Sequence, residues 1–343
     1  MENVFATDVF LESVYNKAVP RETMADCEKD RLNALQNEKR SALYDCLAMN
    51  KLYEMFPDSK AFRADMFTLQ KEEQFDGYKL LRYQSEVLPA LLAPFYVFVP
   101  DNPIPDTAMV FCCGHGNGAE EYAIPDEAVE EEFYHKRFPI RAVKAGYTVC
   151  MSEFMAFGDM KRDKYKAEFL YGTSCYGDMT YLQECGLTLL GLRVHQTFMS
   201  IAFARTLASK VFLGGISGGG TVTMLTAALC EGLAGAAVMG YANMFRTSVL
   251  AMHHCICNFL PGLLSIGEEP EILSLAAPMP ILFTSGDEDD IFPIHDSIAC
   301  FEAVRSLYAR FNAEADVEMV AFGGKHEVVP EAVIEWLNRC GKS

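Results

Sequence analysis

The stretch Val211–Leu229, VFLGGISGGGTVTMLTAAL, decides how this chain is read. An apolar run enters it, a helix-forming run leaves it, and between them Ser217 stands among five glycines. Glycine weakens helix and strand interiors but tolerates positive φ and close backbone approach. Five of them around one hydroxyl therefore call for a special backbone geometry. Gly215-Ile216-Ser217-Gly218-Gly219 fits G-x-S-x-G in the strand–turn–helix context of a nucleophile elbow. The turn is so tight that positions two before and two after the serine must be small. A plain Gly-rich loop and a phosphate cradle are the other readings, but the G-x-x-x-x-G-K-[ST] frame of a P-loop needs a lysine that this stretch lacks.

On both sides of the elbow, strand-like and helix-like segments alternate. AMVFCCG, YTVCMSEF, VFLGGIS, LAGAAVMGY, PILFTSG and VEMVAFGG read as strands with helical text between them. Such alternation predicts a mainly parallel, twisted sheet covered by helices on both faces. Before the elbow, Leu190, Val194, Phe198 and Ile201 recur at helical spacing and predict one apolar stripe. Earlier, the Asp76-Gly77 pair between alternating stretches predicts a hairpin and so an antiparallel opening to the sheet. Residues 1–60 read as an N-terminal helical segment, and residues 61–343 as the catalytic domain. In open parallel sheets ligands bind beyond the carboxyl ends of the strands, which is where the polar clusters of this chain fall.

Composition narrows the function. The chain has 343 residues, half of them hydrophobic, and a formal net charge of −18 from 29 Lys and Arg against 47 Asp and Glu. That balance disfavours nucleic acid and anionic membrane surfaces as partners. No run approaches the roughly 20 apolar residues of a membrane span. The opening MENVFATDVFLESVYNK is acidic where a secretory leader would be basic. Twelve cysteines scattered through apolar runs look like buried free thiols. The expectation is a cytoplasmic protein with a small-molecule substrate.

A serine is a weak nucleophile without a base, and the base needs an orienting acid. Behind an elbow they should follow in the order serine, acid, histidine. His326, in VAFGGKHEVVPEAV, lies between the last strand and the last helix, where the base belongs. The acid comes from SGDEDDIFP, which offers Asp287, Glu288, Asp289 and Asp290. It must sit a few residues past the strand end to reach an imidazole, which favours Asp289 over Asp287. The Gly218 N–H, at the start of the following helix, points at a developing oxyanion.

With these pieces in order, the chain resembles α/β-hydrolases of the acetyl xylan esterase and dienelactone hydrolase-like group. The resemblance runs from about Leu91 to Leu337 and rests on GHGNG, SEFMAFGDM, GLTLLGLRV, GGISGGG, HCICNFLPGLL, SGDEDDIFP and GGKHE. It implies an α/β-hydrolase fold. In such proteins the acid follows G-x-x-D-x-x-x-P, which Gly286, Asp289 and Pro293 match, so the resemblance implies Asp289; Asp290 stands where a small residue or proline is more usual. CCGHGNG resembles the His-Gly oxyanion loop of these enzymes and implies a second backbone donor, the N–H of Asn117, with His115 bracing the loop.

Residues 242–278, between two strands, are too long for a simple connection and are expected to fold over the elbow as a cap. Phe259 and Leu260 from it, with His115 and Glu153, are expected around the substrate, Glu153 chiefly as a loop brace. The run His253-His254-Cys255-Ile256-Cys257 lacks the paired spacing of a structural zinc site, and a serine hydrolase needs no metal or other cofactor. The expected activity is serine carboxylic-ester hydrolysis through an acyl-enzyme, the resemblance implying a small acyl group such as acetyl on a carbohydrate or other small ester. A serine peptidase of the prolyl oligopeptidase kind and a non-catalytic binding protein on the same scaffold are the alternatives.

Overall fold

The computed structural model describes residues 7–20, 22–124, 133–162 and 172–341. Three helices come first, α1 (Asp8–Ala18), α2 (Leu32–Cys46) and α3 (Met49–Met55). Residues 1–6, part of the stretch read for a leader, lie outside the described residues. The hairpin follows as expected: β1 (Phe67–Phe75) and β2 (Tyr78–Leu88) pair antiparallel with Phe75 opposite Tyr78, and Gly77 supplies the positive φ (+83°) of the turn. β3 (Leu91–Pro100) continues the antiparallel part.

Alternation then takes over with β4 (Thr107–Cys112), α4 (Ala119–Ala123), α5 (Phe138–Lys144), β5 (Thr148–Ser152), α6 (Cys175–Glu184), α7 (Leu189–Ala204), β6 (Lys210–Ile216) and α8 (Gly218–Leu229). The chain closes with β7 (Gly235–Met239), α9 (Glu269–Leu273), β8 (Ile281–Gly286), α10 (Ile294–Ala309), β9 (Val317–Phe322) and α11 (Pro330–Cys340). One sheet runs β1-β2-β3-β5-β4-β6-β7-β8-β9, antiparallel from β1 to β5 and parallel from β5 onward. Consecutive residues of a strand face opposite sides. Phe111 of β4 meets Phe138 of α5, and its neighbour Cys112 meets Thr197 of α7, so helices cover both faces.

Register matters most for function. Cys112 pairs with Gly215, Ile216 with Met239 and Gly286 with Phe322, which brings the carboxyl ends of five parallel strands to one edge. The loops carrying His115, Ser217, Asp289 and His326 all leave from that edge.

Two features go beyond the sequence expectations. The stripe on α7 is there, with Leu190, Val194 and Ile201 buried, but so are Arg193, His195, Gln196 and Thr197 on its other sides. The loop after β5, α6 and β4 take up Arg193, Gln196 and Thr197, while the N-terminal segment reaches His195 and the start of the helix. Tyr53 Oη lies 3.0 Å from His195 Nδ1, and Thr188 Oγ1 donates to Leu47 O at 2.9 Å. The N-terminal helices also pack into the body of the protein. Leu32, Leu35 and Leu43 belong to the same apolar core as the sheet, Gln36 donates to the carbonyls of Leu275 and Ala277, and Lys39 pairs with Glu271 at 3.1 Å. No helix among the described residues is long and apolar enough to cross a membrane.

Candidate active site

Ser217 sits between β6 and α8 at φ +56°, ψ −122°. This is a costly conformation for a residue with a side chain, held only where the surroundings over-determine it. The elbow glycines supply the room. A Cβ on Gly215 would lie 2.5 Å from Gly219 O, and one on Gly219 would lie 2.0 Å from Cys112 O. The Ser217 N–H donates to Met239 O at 3.0 Å, which ties the elbow to the end of β7. As the first residue of α8, Gly218 has no intrahelical acceptor for its N–H.

Asp289 and His326 follow the ends of β8 and β9. His326 Nδ1–H donates to Asp289 Oδ2 at 2.8 Å, and the Asp289 side chain is fully buried. The other oxygen, Oδ1, accepts the N–H groups of Ile291 and Phe292, both at 2.9 Å. Among the four candidate acids the remaining three do other things. Asp287 accepts the Gly324 N–H at 3.0 Å and so holds the loop that carries His326, while Glu288 and Asp290 are exposed. The imidazole of His326 stacks between Tyr134 and Phe292, with centroids 5.6 and 5.5 Å away. Its Nε2 is buried without a hydrogen-bond partner among the described residues.

Ser217 and His326 line one cavity of about 150 Å³, together with His115, Tyr134, His254, Cys255, Asn258, Ile291 and Phe292. A second, larger cavity of about 770 Å³ shares His254 and Cys255 with it and is otherwise lined mainly by Tyr176, Met179, Ile256 and Phe259. Burial lowers the pKa of His254 from its ordinary value.

Several expected positions fall elsewhere. The Asn117 N–H donates to Glu121 Oε2 at 3.0 Å and its residue is exposed, so the turn has already engaged the donor that was expected to face an oxyanion. Phe259 lines the larger cavity and not the one around Ser217, and Leu260, although buried, lines neither. Glu153 is buried behind the loop that follows β4, where its carboxylate accepts the N–H groups of Ala119 at 2.7 Å and Phe154 at 3.2 Å. It braces the loop and is absent from both cavity walls. Burial pushes its pKa up to about 8, against the opposing pull of those two backbone donors. His115 reaches the cavity, but its Nε2 turns to Cys257 Sγ at 3.1 Å.

Sequence reasoning missed the braces of that loop. Tyr134 Oη donates to His115 O at 2.6 Å, and Tyr122 Oη accepts the Gly114 N–H at 2.9 Å. No spacing rule links these tyrosines to the loop. The connection 242–278 does lean over the elbow through His254, Cys255 and Asn258, whereas its second half, with α9, packs against α8 and α10.

A strained serine at a strand-to-helix turn, faced by a histidine bonded to a buried aspartate, on a mainly parallel sheet with antiparallel N-terminal strands, defines an α/β-hydrolase scaffold. A family model described as an abhydrolase family matches residues 22–303, and the chain belongs to that family. Among solved structures, a Bacteroides fragilis protein named for a proposed acetyl xylan esterase activity superposes with a TM-score of 0.76 at 17% identity, covering 98% of this chain and 95% of its own. A glucuronoyl esterase from Solibacter usitatus gives 0.61 at 11% identity over 80% and 85%. Acetyl xylan esterase 1 from Thermoanaerobacterium sp. JW/SL YS485 gives 0.55 at 12% over 89% and 93%. At these identities the likeness is one of fold. No curated protein matches the chain by sequence.

Proposed function

We propose that this chain is a serine carboxylic-ester hydrolase that removes a small acyl group, acetyl first among them, from a carbohydrate or other small ester. One observation carries the reading: the strained Ser217 shares a small cavity with His326, whose Nδ1 is bonded to the buried Asp289. Asp289 fixes the proton on Nδ1 and so leaves Nε2 as the basic nitrogen. In the reaction Nε2 takes the Ser217 proton as Oγ attacks the acyl carbon, then returns it to the leaving alkoxide. Water repeats the cycle on the acyl-enzyme. The Gly218 N–H and the start of α8 stabilise the oxyanion. No Ser217–His326 hydrogen bond is present among the described residues. Such contacts commonly tighten only once substrate is bound.

The substrate class rests on cavity size. About 150 Å³ around Ser217, walled by Ile291 and Phe292, suits a short acyl group. The adjoining larger space, with its aromatic residues, suits a bulkier alcohol such as a sugar. The names of the structural neighbours, acetyl xylan and glucuronoyl esterases, support a carbohydrate ester, and the small cavity favours the acetyl side of that pair. Initial rates on acetyl, propionyl, butyryl and octanoyl esters of one alcohol, beside acetylated xylo-oligosaccharides and aminoacyl amides, test the reading. Acetyl and propionyl esters should lead. A kcat/KM rising steadily to octanoyl would remove the small-acyl assignment, and faster cleavage of amides would move the protein to the peptidases.

A further inference from the structure

Cys255 and Cys257 have partners that chain order hides. His115 leaves the end of β4, Cys175 opens α6, and the two cysteines belong to the β7–β8 connection. Yet one ligand atom from each of the four lies within 4.8 Å of all the others. His115 Nε2 is 3.1 Å from Cys257 Sγ, which is 3.5 Å from Cys255 Sγ. In a tetrahedral zinc site, Zn–S near 2.3 Å and Zn–N near 2.0 Å place neighbouring ligand atoms roughly 3.5 to 3.8 Å apart. The two measured edges fall within about half an ångström of that range. All three cysteines are buried, as a structural site requires.

Charge gives an independent pointer. Arg193 on α7 is 1% exposed, and its hydrogen bonds go to a carbonyl and a sulfur, not to a carboxylate. Its guanidinium donates to Met155 O at 2.9 Å, lies over the Phe157 ring at 4.1 Å, and donates to Cys175 Sγ at 3.2 Å. Asp178, buried on α6, acts on the guanidinium electrostatically but makes no ion pair with it, and a buried cation without a paired anion is costly. Three thiolates and a neutral imidazole around Zn²⁺ carry one net negative charge, which would lie directly against the guanidinium that bonds Cys175 Sγ.

We propose that His115, Cys175, Cys255 and Cys257 hold a structural zinc ion, with Arg193 as its counter-charge. Each thiol releases its proton to solvent as its Zn–S bond forms. His115 binds through Nε2 and keeps its proton on Nδ1, the edge packed against Gly218. Four protein ligands close the coordination shell, so the ion has no open position for substrate or water. Its work is mechanical: it pins the oxyanion loop to the cap connection beside Ser217. The inference does not depend on the hydrolase reading, because its readout is metal content.

The full chain, purified reduced and without chelators, should contain about one zinc per molecule by elemental analysis. Replacing zinc with Co²⁺ should give the tetrahedral ligand-field bands and thiolate-to-cobalt charge-transfer absorption of a sulfur-rich site. Cys257→Ser and Cys175→Ser should lose the metal, whereas His253→Ala, next to the cluster in sequence but outside it, should keep it. If the serine variants fail to fold, the cobalt spectrum of the unaltered protein still decides. Reduced protein that takes up neither zinc nor cobalt, or takes up cobalt without sulfur charge transfer, overturns the proposal. Retention of full zinc by both serine variants overturns it too.

Discussion

The two walls of the Ser217 cavity are built on different principles. On the Asp289–His326 wall, strand register does the positioning. Just past the ends of β8 and β9, the Asp287 N–H donates to Phe322 O at 2.9 Å and the Glu288 N–H to Gly324 O at 2.8 Å. The two loops therefore leave as an aligned pair, and an acid three residues after β8 falls opposite a histidine four residues after β9. The His115 wall has no such ladder. It is held by Glu153 from the end of β5, by Tyr122 and Tyr134, and by cysteines from α6 and the β7–β8 connection. Positions set by register can be read from spacing, while positions set by remote side chains cannot.

The largest expected effect tests what the walls share. Ser217→Ala should lower kcat on acetyl esters by on the order of 10⁶, with an unchanged thermal midpoint, since the elbow is shaped by backbone clearance at Gly215 and Gly219. A folded variant with normal turnover would end the nucleophile assignment.

Next comes the register-built wall alone. Asp289→Asn should cost about 10⁴ in kcat by presenting the wrong donor to His326 Nδ1. Asp290→Asn, an exposed residue, should cost less than about tenfold, and Asp287→Asn should act mainly by loosening the loop at Gly324. Equal losses at Asp289 and Asp290 would show that register does not set this wall.

The braced wall should show itself through pH. Glu153 is raised from 4.5 to about 8 by burial, so the folded state holds its proton more tightly than the unfolded state does. Stability associated with this group is therefore complete below about pH 4.5 and declines as pH rises toward about 8. Glu153→Gln cannot ionise and should have a flatter curve. Thermal midpoints of the two proteins should nearly coincide at low pH and separate in favour of the variant by pH 8. Parallel curves across that window would mean that the carboxyl is not desolvated as the loop geometry requires.

The smallest effect separates the two cavities. Ile291→Ala enlarges the space around Ser217 and should raise kcat/KM for butyryl relative to acetyl esters by roughly fourfold per methylene accommodated, about 0.8 kcal/mol each. Phe259→Ala, in the neighbouring cavity, should leave that ratio unchanged and alter KM for bulky alcohols instead. A shift in acyl preference from Phe259→Ala would return it to the acyl side.

What the amino-acid sequence by itself determined is the part governed by local backbone rules. Alternating strand and helix text, the Asp76-Gly77 turn, the glycines that Ser217 needs, and the offsets of Asp289 and His326 from their strand ends all follow from short-range sterics and strand geometry. Those rules act over a few residues, so they are written in consecutive letters. Tertiary structure alone decided that Asn117 gives its N–H to Glu121, that Phe259 lies in a second cavity, that His195 of α7 meets Tyr53 of α3, and that Cys175 and His115 meet Cys255 and Cys257. Each of these depends on which surfaces come together across the sheet. Burial and long-range hydrogen bonding act between residues far apart in the chain, and no local pattern of letters records them.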